Sequence, residues 1–261
     1  MAAIPLTEEE KTLSYSKYYY MPLDFPTEEE EAELKIPMDL KDAIPAEQLL
    51  KGLSTDFNSS SKNKYCEMPD GSIYAEVTME LTDCTDEMLG WWFPWFLHGP
   101  ASIKDTNGNL RYRLWDPLDH WDTYGDVMVE SFDDGAGGPK YYTNHQSQKP
   151  EQYGVPEEIV KDFREKGIIF STLVNSSEGM CDRIVMNMYV PRPEGGFTAN
   201  TKYWFGWTIK DGKPVRDLKE TQFSTELARS IHRHNIIEKL RLNKMLPLLY
   251  KEQGSKPINE D

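Results

Sequence analysis

Two periods run through this chain. Between Tyr65 and Ile209 apolar residues recur at every second position in short runs, and from Ser224 to about Tyr250 they recur at every third or fourth. A period of two sends alternate side chains to opposite faces of a strand, whereas a period near 3.6 gathers them on one stripe of a helix. The first pattern predicts a strand over Ser72–Leu81, after the turn Pro69-Asp70-Gly71. It predicts others over Leu110–Trp115, Asp126–Phe132, Ile168–Val174, Arg183–Val190 and Thr201–Ile209, divided by turns such as Thr106-Asn107-Gly108-Asn109 and Asp211-Gly212. The second pattern predicts a long final helix that buries Leu227, Ile231, Leu242, Met245 and Leu249. Two shorter helices are expected as well. One starts near Thr85-Asp86-Glu87-Met88 and runs into Trp91-Trp92-Phe93-Pro94-Trp95-Phe96, a stretch too aromatic for water that should wall the core or a pocket. The other spans Pro156–Lys166, with Pro at its start, Glu157 and Glu158 in its first turn and Gly167 closing it.

Strands followed by a long amphipathic helix imply an α+β fold, the helix lying across the concave side of an antiparallel sheet with a cavity between them. Residues 1–60 mix acidic runs, prolines and short apolar patches such as Tyr18–Met21. They read as an N-terminal arm packing on the domain, or as an acidic leader. Residues 61–252 then form the domain, and residues 253–261 a C-terminal tail.

Composition narrows the partners. With 44 acidic against 29 basic residues the formal charge is −15, so nucleic acid and anionic membrane surfaces are repelled. No apolar run approaches the ~20 residues of a membrane span, and the opening MAAIPLTEEEK lacks the basic and apolar regions of a signal peptide. A cytoplasmic location is expected, with a homodimer left open. Cys66, Cys84 and Cys181 are odd in number and form no CxxC pair, which argues against a disulfide framework and a thiolate zinc site. Neither a GxSxG elbow nor a P-loop is present.

The sharpest chemical signal is His234-Asn235-Ile236-Ile237-Glu238. An i, i+4 His/Glu pair puts both side chains on one helix face, where they can share a metal, and Leu227 and Ile231 turn that face toward the core. His232 lies about 200° around the helix and should point elsewhere. On its own, such a pair is more often a solvated surface hydrogen bond.

From His234 through Pro247-Leu248-Leu249-Tyr250 the run resembles the end of the phloretin hydrolase and 2,4-diacetylphloroglucinol hydrolase family. Three further stretches carry the same resemblance in the same order: Pro69-Asp70-Gly71-Ser72 followed by Glu87-Met88-Leu89-Gly90-Trp91-Trp92-Phe93, then Arg111–His120, then Lys202-Tyr203-Trp204-Phe205-Gly206. The resemblance implies a helix-grip (Bet v 1/START-like) fold and a divalent metal, usually zinc, held by two His and two Glu. It also implies hydrolysis of the carbon–carbon bond between a phloroglucinol-like ring and an acyl group of a polyketide or polyphenol. Carried onto this chain, the ligands are His120, Glu130, His234 and Glu238, with Glu151 as the alternative glutamate and His98 as the alternative histidine. Tyr112 and Tyr203 would hydrogen-bond the phenolic oxygens. The family's acid/base histidine has no counterpart: its strand here reads Arg183–Val190, with Asn187 and Met188 where a proton carrier is expected. Asn187 is kept as a catalytic position, and Cys181, Asp182 and Tyr189 are the remaining candidates for the proton. The missing histidine motivates an alternative, a repurposed pocket for dehydration, cyclisation or a pericyclic reaction on a polyketide or meroterpenoid intermediate. A carrier that only binds hydrophobic ligands is a third reading.

Overall fold

The structure, a computed structural model, describes residues 3, 5–57, 63–97, 108–124, 127–132, 141–177, 180–217 and 225–258, without the side chains at 131–132, 141–145, 175–177 and 180–181. Ten strands are seen among them: β1 (Lys64–Glu67), β2 (Ile73–Leu81), β3 (His120–Tyr124), β4 (Val127–Phe132), β5 (Tyr141–Gln148), β6 (Ile169–Ser177), β7 (Met180–Pro191), β8 (Phe197–Phe205), β9 (Trp207–Lys210) and β10 (Lys213–Arg216). The first eight form one sheet in the order β1-β2-β8-β7-β6-β5-β4-β3. Every neighbouring pair in it is antiparallel. Five helices accompany it: α1 (Glu28–Glu33), α2 (Asp86–Leu97), α3 (Leu110–Arg113), α4 (Glu157–Glu165) and α5 (Thr225–Gln253). The architecture is therefore α+β, a large antiparallel sheet with a long C-terminal helix. Ser224, where the helix was expected to start, lies outside the described residues. None of the helices described is long and apolar enough to cross a membrane.

Strand alternation sorts the sheet residues onto two buried faces. Val185, Tyr189, Ala199, Tyr203 and Phe205 join a core with Leu227, Ile231, Leu242 and Leu249 of α5 and the aromatic run of α2. Their neighbours Ile184, Met186, Met188 and Trp204 point the other way, toward Leu49 and Leu53 of a 3₁₀ segment (Ala46–Leu53) and Phe163 of α4. Helix α5 packs against β1, β2 and α2.

Residues 5–57 lie on this frame. Tyr15, Tyr18 and Tyr19 are buried in the inner core. The Arg241 guanidinium donates to the carbonyls of Tyr18 (2.7 Å), Met21 (2.7 Å) and Leu114 (2.6 Å), tying the segment around Tyr18 to α5.

Two of the expected strands come out differently. Leu110–Arg113 is a helical turn, capped by the Asn109 side chain, which accepts from the amides of Arg111 (2.9 Å) and Tyr112. The apolar/Arg alternation there is misleading because the arginines are buried too. Arg113 pairs with buried Glu10 at 2.6 Å, and Arg111 donates to the carbonyls of Trp95 and Ile258. The run Thr201–Ile209 is split at Gly206, whose φ of +83° ends β8 and starts the β9–β10 hairpin. Strands β3 and β5, rich in polar residues, were not foreseen.

Candidate active site

Three pieces of backbone converge on one buried spot. The turn Asp116-Pro117-Leu118-Asp119 closes with Leu118 N donating to Asp116 Oδ1 (2.9 Å), and His120 N donates to the Asp116 carbonyl (3.0 Å) as β3 begins. Antiparallel pairing then sets Glu130 of β4 directly opposite His120. From the other side α5 presents His234, Asn235, Glu238 and Lys239, all buried.

Around this spot three side chains are close enough that they could hold a metal ion together. His120 Nε2 lies 3.7 Å from Glu130 Oε1 and 3.5 Å from Glu238 Oε2, and His234 Nε2 lies 3.7 Å from the same Glu238 oxygen. Two donors 2.0–2.1 Å from a tetrahedral ion are about 3.4 Å apart, so the spacings among His120, His234 and Glu238 suit one ion, with Glu130 beside His120 but outside that group of three. The candidate ligand atoms of His120, His234 and Glu238 all fall within 4.8 Å of one another. Both imidazoles are held through their far nitrogens. His120 Nδ1 sits 3.2 Å from the Tyr112 carbonyl, an acceptor only, so Nδ1 donates there and Nε2 is turned toward the two glutamates. That Nε2 is buried and has no hydrogen-bond partner. His234 Nδ1 faces two carboxylates, Asp116 Oδ2 at 3.0 Å and Asp119 Oδ2 at 3.1 Å. The angle favours a hydrogen bond to Asp119, and wholly buried Asp116 acts as the ion partner.

The carboxylates themselves are braced. Tyr112 donates its hydroxyl to Glu130 Oε1 at 2.7 Å while its ring stacks on His120 with centroids 3.9 Å apart. Lys239 donates to Glu238 Oε1 (2.8 Å) and Asn235 Oδ1 (2.9 Å). Burial opposes ionisation of Glu238, but the Lys239 ammonium and the two imidazoles outweigh it and bring its pKa down to about 2. For His234 burial disfavours the charged form, and Asp116, Asp119 and Glu238 hold the pKa well above its ordinary value. Buried Asp116, Glu130 and Glu238, with partly exposed Asp119 beside them, favour positive charge at this spot, and the unpartnered His120 Nε2 among them fits a divalent cation.

Beside this cluster opens a cavity of about 280 Å³, walled by apolar side chains including Phe93, Phe96, Leu97, Met128, Ile169 and Val185. Tyr112, Tyr203, Asn187 and Tyr189 also line it. Asn235 donates to the Tyr203 hydroxyl, and Asn187 Oδ1 accepts from Thr201 Oγ1 at 2.8 Å. Burial, then the Glu238 charge, pushes the hydroxyls of Tyr203 and Tyr189 far above the usual phenol range, so both stay protonated.

The remaining expected positions fall as follows. The structure brings His120, Glu130, His234 and Glu238 together. Glu151 is exposed in a 3₁₀ turn (Pro150–Tyr153) outside the cavity. His98 lies outside the described residues, as does the side chain of Cys181. Asp182 is absent from the cavity lining, and Met188 packs on the opposite face of the sheet. His232 turns away, with Nε2 2.7 Å from the Glu76 carbonyl. Sequence reasoning assigned no role to Asp116, Asp119, Asn235 or Lys239. Asp116 and Asp119 stood inside a quoted motif, and Asn235 and Lys239 are sequence neighbours of the helix pair, which is the only signal they give.

The family model described as DAPG hydrolase PhiG domain matches residues 48–144 and 136–251. A phloretin hydrolase from Eubacterium ramulus is 26% identical over 272 positions, covering 96% of this chain and 94% of its own. The 2,4-diacetylphloroglucinol hydrolases of a Pseudomonas species and of Pseudomonas protegens are 22% and 23% identical, covering 92% of this chain and 88% and 85% of their own lengths. Among solved structures, a Staphylococcus aureus protein of unknown function aligns with a TM-score of 0.30 and 9% identity over 71% of this chain and 98% of that one, a likeness too slight to bear on the fold. With the family model matched over most of its length, the chain belongs to the DAPG hydrolase PhiG domain family.

Proposed function

We propose that the protein is a metal-dependent hydrolase that cleaves the carbon–carbon bond joining an electron-rich, phloroglucinol-like ring to an acyl group. One observation carries this reading: the buried, unpartnered Nε2 of His120, aimed at the carboxylates of Glu130 and Glu238. The names of the relatives, hydrolases of phloretin and of 2,4-diacetylphloroglucinol, support the substrate class. In the reaction one water is consumed. The bond between ring carbon and carbonyl carbon breaks, the acyl carbon gains the hydroxyl and leaves as a carboxylic acid, and the ring carbon takes a proton.

Our reading assigns His120, Glu130, His234 and Glu238 to a divalent ion, zinc by donor preference, which when bound supplies a Lewis acid for the ketone and lowers the pKa of water toward ~7. The chain's own groups do the positioning. Asp116 and Asp119 orient His234, the Tyr112 carbonyl orients His120, and the Tyr112 hydroxyl and Lys239 fix the two glutamates. Phe93, Phe96 and Leu97 keep bulk water from the departing ring. Tyr203 accepts from Asn235 and so keeps its own proton for a phenolic oxygen. Asn187 has no titratable proton, so its part is limited to hydrogen bonding and the ring carbon is protonated by another group.

Incubation with phloretin tests this. The expected products are phloroglucinol and the matching arylpropanoic acid, with activity lost on chelation and restored by zinc. Metal-free protein indifferent to chelators ends the reading. Phloretin recovered unchanged also ends it, and would favour the non-hydrolytic alternative, for which Asn187 on β7 speaks.

The architecture is read in the same spirit: residues 61–252 as a helix-grip domain, residues 1–60 as an arm on it and residues 253–261 as a tail. Support comes from α5 lying along β1 and β2 and from Arg241 holding the carbonyls of Tyr18 and Met21.

A further inference from the structure

The hydroxyls along the cavity are not equivalent. Tyr112 spends its proton on Glu130, and Tyr203 already accepts from Asn235. Asn187 accepts from Thr201. Tyr189 is 3% exposed and lines the cavity, and among the described residues no protein group pairs with its hydroxyl. A hydroxyl in a cavity wall that no protein group pairs with is a donor open to a ligand. Its ring is held in place. It stands edge-on to Phe93 with centroids 5.6 Å apart, and across the strand pair it faces Ala199, whose small side chain leaves it room. A tyrosine fixed on a central strand cannot easily swing its hydroxyl to another acceptor, which makes its direction a property of the pocket.

We propose that Tyr189 donates a hydrogen bond to an oxygen on the aromatic ring of the substrate, and that it selects rings carrying that oxygen. This rests on the reading above in one respect: with the acyl carbonyl assigned to the His120/Glu238 cluster, the oxygens left for the β7 wall are those of the ring. A site built to hydrogen-bond a substrate oxygen rejects the analogue lacking it, because its own donor is then buried unpaired.

Calorimetric binding of phloroglucinol and of resorcinol, which has one hydroxyl fewer, decides the matter without requiring turnover. Wild-type protein should prefer phloroglucinol by about tenfold, and Tyr189→Phe should bind phloroglucinol about tenfold more weakly and show no preference. A wild-type preference near unity overturns the proposal, and that result needs no variant. So does a Tyr189→Phe protein that keeps the wild-type ratio, since a merely structural tyrosine would weaken both ligands alike. If the ring preference is as stated but phloretin survives intact, the hydrolase reading fails and this one stands.

Discussion

The two faces of the sheet each bury a polar cluster, and they differ in how completely it is paired. On the outer face Glu76 accepts from Tyr74 (3.0 Å) and Asn200 (2.7 Å), and Asn200 also reaches Thr78 (2.9 Å). Lys202 donates to Asn200 and lies 3.8 Å from Glu76. Its ammonium also sits over the Phe57 ring at 5.3 Å. Every group there finds protein. On the inner face, among the described residues, His120 Nε2 finds none, and the cavity is lined by its neighbours Glu130, His234 and Glu238 and by Tyr189. Burial and ionisable residues are therefore common to both faces and identify nothing. What separates a structural network from a site is unfilled hydrogen-bonding capacity next to space.

Lys202→Met should break the outer network by leaving Glu76 buried without its cation, at a cost of about 3–5 kcal/mol in denaturant unfolding, while turnover per folded molecule is unchanged. His120→Ala inverts this pattern. Acid release from phloretin should fall on the order of a thousandfold, and stability should fall less than in Lys202→Met because what is lost is one hydrogen bond, from Nδ1 to the Tyr112 carbonyl, and one ring contact. Equal stability losses in the two variants would dissolve the distinction between the faces.

The outer network also has a pH signature. Burial lowers the Lys202 pKa from 10.5 to about 8, against the pull of Glu76. Below pH 8 the lysine is protonated in both states. Between pH 8 and 10.5 the unfolded chain binds the extra proton, so stability rises with pH there. The stability gap between wild type and Lys202→Met should therefore widen by about 3 kcal/mol across that window, tyrosine titrations cancelling between the two proteins. A gap that stays flat would mean that Lys202 is solvated.

How much of this could be read beforehand follows from what periodicity reports. Residues Ile73–Leu81 and Arg183–Val190 alternate because two faces differ, and α5 shows a stripe because one side is buried. Tyr141–Gln148 carries mostly polar residues and hid β5. Leu110–Arg113 showed a strand's alternation only because Arg111 and Arg113 are buried through partners as remote as Ile258 and Glu10. The helix pair His234/Glu238 was visible because four residues make one turn. Glu130 was visible only as a resemblance, since its place opposite His120 is a fact of strand register. Asp116 and Asp119 were invisible as orienting groups, because their role exists only once the turn before β3 meets α5.

Those two aspartates offer the finest division of the inner face. Both approach His234 Nδ1, but one N–H cannot serve two acceptors fully, and their surroundings differ: Asp116 is wholly buried and Asp119 partly exposed. Removing an orienting carboxylate typically lowers metal affinity about 10- to 100-fold. Solvent screens Asp119, so Asp119→Asn should lie at the small end of that range and Asp116→Asn at the large end, in chelator competition with zinc. Both amides keep the side-chain volume and an acceptor oxygen, so the unfolding midpoints should stay near wild type. If Asp119→Asn instead proves the more damaging, hydrogen-bond angle outweighs burial in setting the basicity of His234, and Asp116 is a packing residue of the Asp116–Asp119 turn.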